Sequence, residues 1–82
     1  MISVTVKLFA AYRDAFQTEE LRLELAETAC AADVLEQLLR DRPELERWRT
    51  VTRFGINLNF VPPETRLQAG DEVVLIPPVS GG

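Results

Sequence analysis

Histidine is absent from this sequence of 82 residues, and cysteine and lysine occur once each, as Cys30 and Lys7. Each scarcity removes a class of chemistry. Without histidine the usual proton shuttle near neutral pH is missing, and so is the commonest metal ligand. One cysteine permits no disulfide within the chain and no Cys-x-x-Cys zinc or redox pair. One lysine leaves side-chain-linked polymers of the chain almost no acceptor. No stretch approaches the roughly 18 apolar residues a membrane-spanning helix requires. Met1-Ile2-Ser3-Val4 passes directly into a strand pattern rather than a leader. The expectation from these gaps is a soluble, cytoplasmic protein with no membrane partner, no metal and no acid–base pair with which to be an enzyme by itself.

What is present fits one domain, residues 1–82. A chain this short buries little more than roughly 60% of its unfolded surface, which leaves no room for a second core. The apolar fraction of 46% is ordinary for a globular chain. Thirteen acidic against nine basic residues give a net charge of -4. That balance opposes binding to nucleic acid or anionic membranes and suits a protein partner with a basic groove, although acidity also serves solubility.

Residues 2–9 alternate, with Ile2, Val4, Val6 and Leu8 on one face and Ser3, Thr5 and Lys7 on the other, the period of a half-buried strand. Phe9 breaks the phase. It points either to the side the core does not use or beneath the following turn. Residues 10–17 predict a short helical turn or loop. Thr18 to Ala26 predicts a second strand, with Leu21, Leu23 and Leu25 alternating against Arg22 and Glu24 and pairing with the first as an antiparallel hairpin. A helix is predicted from about Ala31 to Arg42 on the stripe Val34, Leu35, Leu38 and Leu39. Thr28 or Cys30 opens it with Asp33 in the first turn, and Pro43 stops it. Cys30 reads as a small helix-start residue, because a nucleophilic thiol needs an activating base and no histidine supplies one.

Leu45 and Trp48, three residues apart, are predicted to tuck inward from a further helical turn. Arg40, Arg42, Arg47, Arg49 and Arg53 interleave with Asp41, Glu44 and Glu46 as a self-compensating solvated face. Arg53 to Phe60 alternates again and predicts a third long strand with Phe54, Ile56, Leu58 and Phe60 on one side. Pro62-Pro63 and Ala69-Gly70-Asp71 form turns, and Arg66-Leu67 makes at most a short edge strand. Val73-Val74-Leu75-Ile76, apolar on both faces, predicts a central strand. This order lays one main helix across one face of a mixed sheet of four to five strands, an α+β fold of β-grasp type. Its first and last strands lie parallel and adjacent at the middle. The uncovered face then shows Phe9 with either Val74 and Ile76 or Val73 and Leu75, and contiguous exposed apolar surface marks a partner site.

The last strand runs through Pro77 and Pro78 into Val79-Ser80-Gly81-Gly82. Two prolines have fixed φ and no N–H, so they cannot extend a ladder and should hold the tail, residues 77–82, off the body as an extended stalk. Gly81 and Gly82 carry no Cβ, so a backbone ending in a carboxylate can thread a slot too narrow for side chains. A diglycine alone is also what a frayed terminus looks like. Prolines placed directly after a core-like strand favour the arm.

Asp71-Glu72-Val73-Val74-Leu75-Ile76-Pro77-Pro78-Val79-Ser80-Gly81-Gly82, preceded by Leu67 and Gly70, resembles the C-terminus of the MoaD-type small subunits of molybdopterin synthase, sulfur carriers of the ubiquitin-like superfamily. Leu8-Phe9-Ala10-Ala11-Tyr12-Arg13 is similar to the first strand and turn of that family, so the resemblance spans nearly the whole chain. It implies that the Gly82 carboxylate is adenylated by a ubiquitin-activating-type (MoeB-type) adenylyltransferase, carrying AMP from ATP transiently. A sulfurtransferase persulfide then converts it to a thiocarboxylate. The tail would deliver that sulfur to the pterin precursor inside the large (MoaE-type) subunit, in a heterotetramer built on a large-subunit dimer. The resemblance also implies Gly81 and Ser80 as threading residues. It implies Phe9, Phe60, Ile76, Pro77, Pro78, Val79 and Arg13 as partner contacts, although the alternation puts Phe60 with the core. Carriers for thiamin thiazole, cysteine synthesis or tRNA thiolation share the fold and the diglycine, and a ubiquitin-like interaction module that keeps its carboxylate is the alternative from another class.

Overall fold

The alternating apolar strands at the two ends of the chain meet in the middle of one sheet. In the computed structural model, which describes residues 1–77, strand β1 (Ile2–Leu8) runs into helix α1 (Ala11–Phe16) and returns as β2 (Glu20–Leu25). Helix α2 (Ala31–Asp41), a 3₁₀ turn (Pro43–Trp48), β3 (Arg53–Ile56), β4 (Asn59–Val61) and β5 (Glu72–Ile76) follow. The sheet order is β2-β1-β5-β3-β4. β1 and β5 are parallel, and the other three pairings are antiparallel. This is the α+β, β-grasp arrangement that the order of elements predicts, with five strands.

Register explains the two faces. Val6 lies opposite Val73 and Leu8 opposite Leu75, while Phe54 lies opposite Leu75 and Ile56 opposite Val73. These residues form one buried layer. The α2 stripe of Val34, Leu35, Leu38 and Leu39 closes over it, and all of these side chains are buried. Burying a Val or Leu side chain fully contributes about 1.5–3 kcal/mol, so this layer dominates the stability of so small a body. The start of α2 is held from outside the helix: the Ala31 and Ala32 N–H groups donate to the carbonyls of Thr65 and Pro63 at 2.9 and 2.8 Å. The Asp33 carboxylate accepts from the Cys30 N–H at 2.8 Å, satisfying a donor that the first turn leaves open. Arg66 forms only an isolated bridge with Cys30.

One expected element is different. The alternation over Arg53 to Phe60 predicts one long strand, but the chain reverses at Asn57 and Leu58, whose φ angles are 49° and 75°. Two successive positive φ values make the two-residue hairpin turn whose twist matches that of the flanking strands. Ile56 then pairs with Asn59 and Gly55 with Phe60. Directly opposed residues share a face, so Phe60 leaves the side of Phe54 and Ile56 and joins that of Gly55. It is 73% exposed, and its expected place with the core is corrected.

Candidate docking face and tail root

The row Glu20, Lys7, Val74, Gly55, Phe60 crosses the uncovered face from β2 to β4. Its two halves differ in chemistry. On the β2 side Lys7 donates to Glu20 at 2.6 Å. That contact, first as a hydrogen bond and then as charge attraction, raises the Lys7 pKa and lowers that of Glu20. On the β3 and β4 side the surface is apolar. Phe9, Gly55, Leu58, Asn59, Phe60, Val74 and Ile76 line a shallow groove of about 240 Å³ with no ionisable side chain. Of the two apolar pairs that β5 could have exposed, the structure selects Val74 and Ile76, because Val73 and Leu75 face α2.

Three local devices fix this groove. Gly55 forms its floor, leaving space where a side chain would stand. Phe9 is set by the corner after β1, where the Tyr12 N–H donates to the Phe9 carbonyl at 3.1 Å across Ala10 at φ 50°, ψ −120°. The hairpin is set by Asn57: its Nδ2 donates to Asp71 Oδ1 and its Oδ1 accepts from the Glu72 N–H, both at 3.0 Å. Asp71 Oδ2 also accepts from the Gln68 N–H at 2.8 Å, so one carboxylate ties the turn ahead of β5 to the hairpin.

Phe9, Phe60 and Ile76, which the resemblance implies as partner contacts, are thus brought together in one groove. Arg13 is not. It lies in a polar cleft with Asp14, Gln17, Thr18, Glu19 and Glu20. Pro77, where the tail is expected to begin, is buried, so the body extends through the first proline. Pro78, Val79, Ser80, Gly81 and Gly82 fall outside the described residues. Leu58 and Gly55 belong to the groove, yet the alternation assigned one to a strand and gave the other no part. Asn57, a residue that tolerates positive φ, is the signal that could have revealed the turn.

The arginine-rich surface is largely engaged with the chain itself. Arg49 pairs with Glu36 and Glu46. Arg42 lies over the Phe16 ring and Arg47 over the Trp48 ring, at 5.4 and 5.0 Å. No group of three metal-ligating side chains occurs among the described residues, and no helix among them is long and apolar enough to cross a membrane.

Comparison with known proteins points the same way. The model of the ThiS family matches residues 6–82. The molybdopterin synthase sulfur carrier subunit of Chlamydomonas reinhardtii is 34% identical over 99% of this chain and 100% of its own length. Among solved structures, the small archaeal modifier protein 1 of Methanosarcina acetivorans superposes with a TM-score of 0.78 at 33% identity, covering 100% of this chain and 98% of that one. A chain from the complex of subunits 1 and 2 of the molybdopterin-converting factor of Helicobacter pylori superposes with a TM-score of 0.64 at 26% identity, covering 99% and 100%.

Proposed function

The chain belongs to the ThiS family, and from that premise we propose that it is the sulfur carrier subunit of a molybdopterin synthase, with the Gly82 carboxylate as its covalent site. One observation carries this reading. Ile76 lines the apolar groove, and the same strand continues in sequence as Pro77-Pro78-Val79-Ser80-Gly81-Gly82. A partner seated on the groove therefore meets the root of the tail.

A carboxylate resists attack because its charge is delocalised and it offers no good leaving group. An adenylyltransferase of the ubiquitin-activating type joins it to AMP, releasing pyrophosphate from ATP. A sulfurtransferase persulfide displaces the AMP to give an acyl disulfide, and a thiol then attacks that S–S bond, becoming a disulfide itself and releasing the thiocarboxylate. Docked on the large subunit, within a heterotetramer built on a large-subunit dimer, the chain yields that sulfur to the pterin precursor. Side-chain catalysis belongs to the partners. This chain supplies position: docking a folded body raises the effective concentration of the sulfur nucleophile. In this reading Gly81 and Ser80 thread, Pro78 and Val79 contact the partner, and nothing is bound permanently.

Intact-protein mass after incubation with adenylyltransferase, sulfurtransferase and ATP tests the covalent step. The expected result is exchange of one oxygen for sulfur at the terminus, lost on deletion of Gly82. Retention of the plain carboxylate under conditions that thiolate a known carrier would overturn it. Offering the thiolated chain to a large subunit with the pterin precursor separates molybdopterin from the thiazole, cysteine and tRNA pathways.

The modifier name of the archaeal relative favours a second reading, conjugation of the tail to other proteins. Chains of this protein on itself are disfavoured, because Lys7 is its single amine-bearing side chain and is engaged with Glu20 at 2.6 Å.

A further inference from the structure

Leu58 stands at the hairpin tip, 91% exposed, with φ at 75°. Both properties oppose the stability of the isolated fold. Its neighbour Asn57 also has positive φ, but the Asn57 side chain recovers two hydrogen bonds in that position. Leucine has no polar group with which to do the same, and glycine at this place in the turn would carry no strain at all. What Leu58 does have is a place in the groove, beside Phe60 on the same hairpin and facing Phe9, Val74 and Ile76. Strained backbone that the fold does not require is a mark of function.

We propose that Leu58 is a docking residue that inserts, together with Phe60, into an apolar recess of the large subunit of molybdopterin synthase. This rests on the carrier reading above. The occupant follows from reach and chemistry. Five residues follow Pro77 and span at most roughly 17 Å when extended, so whatever receives Gly82 lies close against the face on which β5 ends. The groove residues carry no charge, which calls for an apolar protein surface rather than a phosphate or a basic patch. A relative of this fold occurs in complex with its second subunit.

The test uses the full chain, unthiolated, with Leu58→Gly, Leu58→Asn and Phe60→Ala, and reads melting temperature and calorimetric affinity for the large subunit. Glycine and asparagine both suit the left-handed backbone, so the two Leu58 variants are expected to melt at or above the parent. Their affinity for the large subunit is expected to fall by roughly tenfold or more, as loss of a buried leucine contact implies. A purely structural Leu58 would move both readouts in the same direction. Binding by both Leu58 variants within about twofold of the parent, while Phe60→Ala loses binding, overturns the proposal and leaves the carrier reading standing. Failure of the parent itself to bind overturns both.

Discussion

Tyr12 and Thr52, 40 residues apart in sequence, are joined hydroxyl to hydroxyl inside the core. Thr52 donates its own hydrogen to the Trp48 carbonyl at 2.7 Å, so the phenol is the donor toward Thr52. The bond locks α1, and with it the corner that carries Phe9, to the segment leading into β3 and Gly55. The candidate docking face is thereby referenced to one buried contact. Replacing Tyr12 by Phe is expected to lower stability by about 1 kcal/mol, measured as a shift in urea midpoint. Burial raises the Tyr12 pKa above its ordinary value of 10.0. The folded chain therefore disfavours the ionised phenol, and the contribution of Tyr12 is complete below pH 10 and lost as pH rises through the raised value. Urea midpoints followed upward from neutral pH should fall above 10 in the parent and fall less in Y12F.

Ala10 holds φ 50°, ψ −120°, the first central position of a turn that glycine occupies without strain. Ala10→Gly is expected to raise stability by about 1 kcal/mol, with Ala10→Val lowering it by more. Thermal melts of the two variants give opposite shifts if the strain is real.

Asp71 accepts from Asn57 and from the Gln68 N–H at once. Asp71→Ala releases both and is expected to cost about 1–3 kcal/mol. Because the same carboxylate anchors the hairpin, hydrogen exchange at Leu58 and Asn59 is expected to quicken more than that in α2.

Gly55 occupies the groove floor without needing the backbone freedom of glycine. A Cβ added there meets the Asn59 carbonyl at 3.5 Å and Val74 Cβ at 3.6 Å, ordinary contact distances. Gly55→Ala is expected to fold with stability equal to the parent or up to about 1 kcal/mol higher. The raised floor is expected to weaken the proposed docking. Calorimetry against the large subunit, set beside a melting curve, separates the two effects.

Phe60 is exposed enough that Phe60→Ala is expected to change folding stability by less than about 0.5 kcal/mol. Its loss is instead expected in partner affinity, by roughly tenfold to a hundredfold, as for an aromatic anchor. A large drop in urea midpoint would place Phe60 in the core after all.

The elements with an undisturbed period were legible in the sequence. β1, β2 and α2 declare their buried faces by spacing alone, whereas β5, apolar on both sides, left its buried pair open and Phe9, by breaking phase, offered a second surface or a place under the turn. The hairpin was legible only in Asn57, because its second turn residue is leucine, which carries no turn signal and happens to continue an apolar alternation. The error then propagated: with one strand in place of two, Phe60 fell on the wrong face, and only the family resemblance kept it among the contacts. Tyr12 was passed over because its partner lies 40 residues away, and no local pattern encodes such a contact.

β5 is made after the other described strands, yet its slot lies between β1 and β3. Until it arrives, the two hairpins on either side share no hydrogen-bonded neighbour and present raw edges. A product cut short ahead of Glu72 therefore lacks the strand that joins the two halves of the sheet. With β5 at its centre, the complete sheet certifies that synthesis proceeded at least through Ile76.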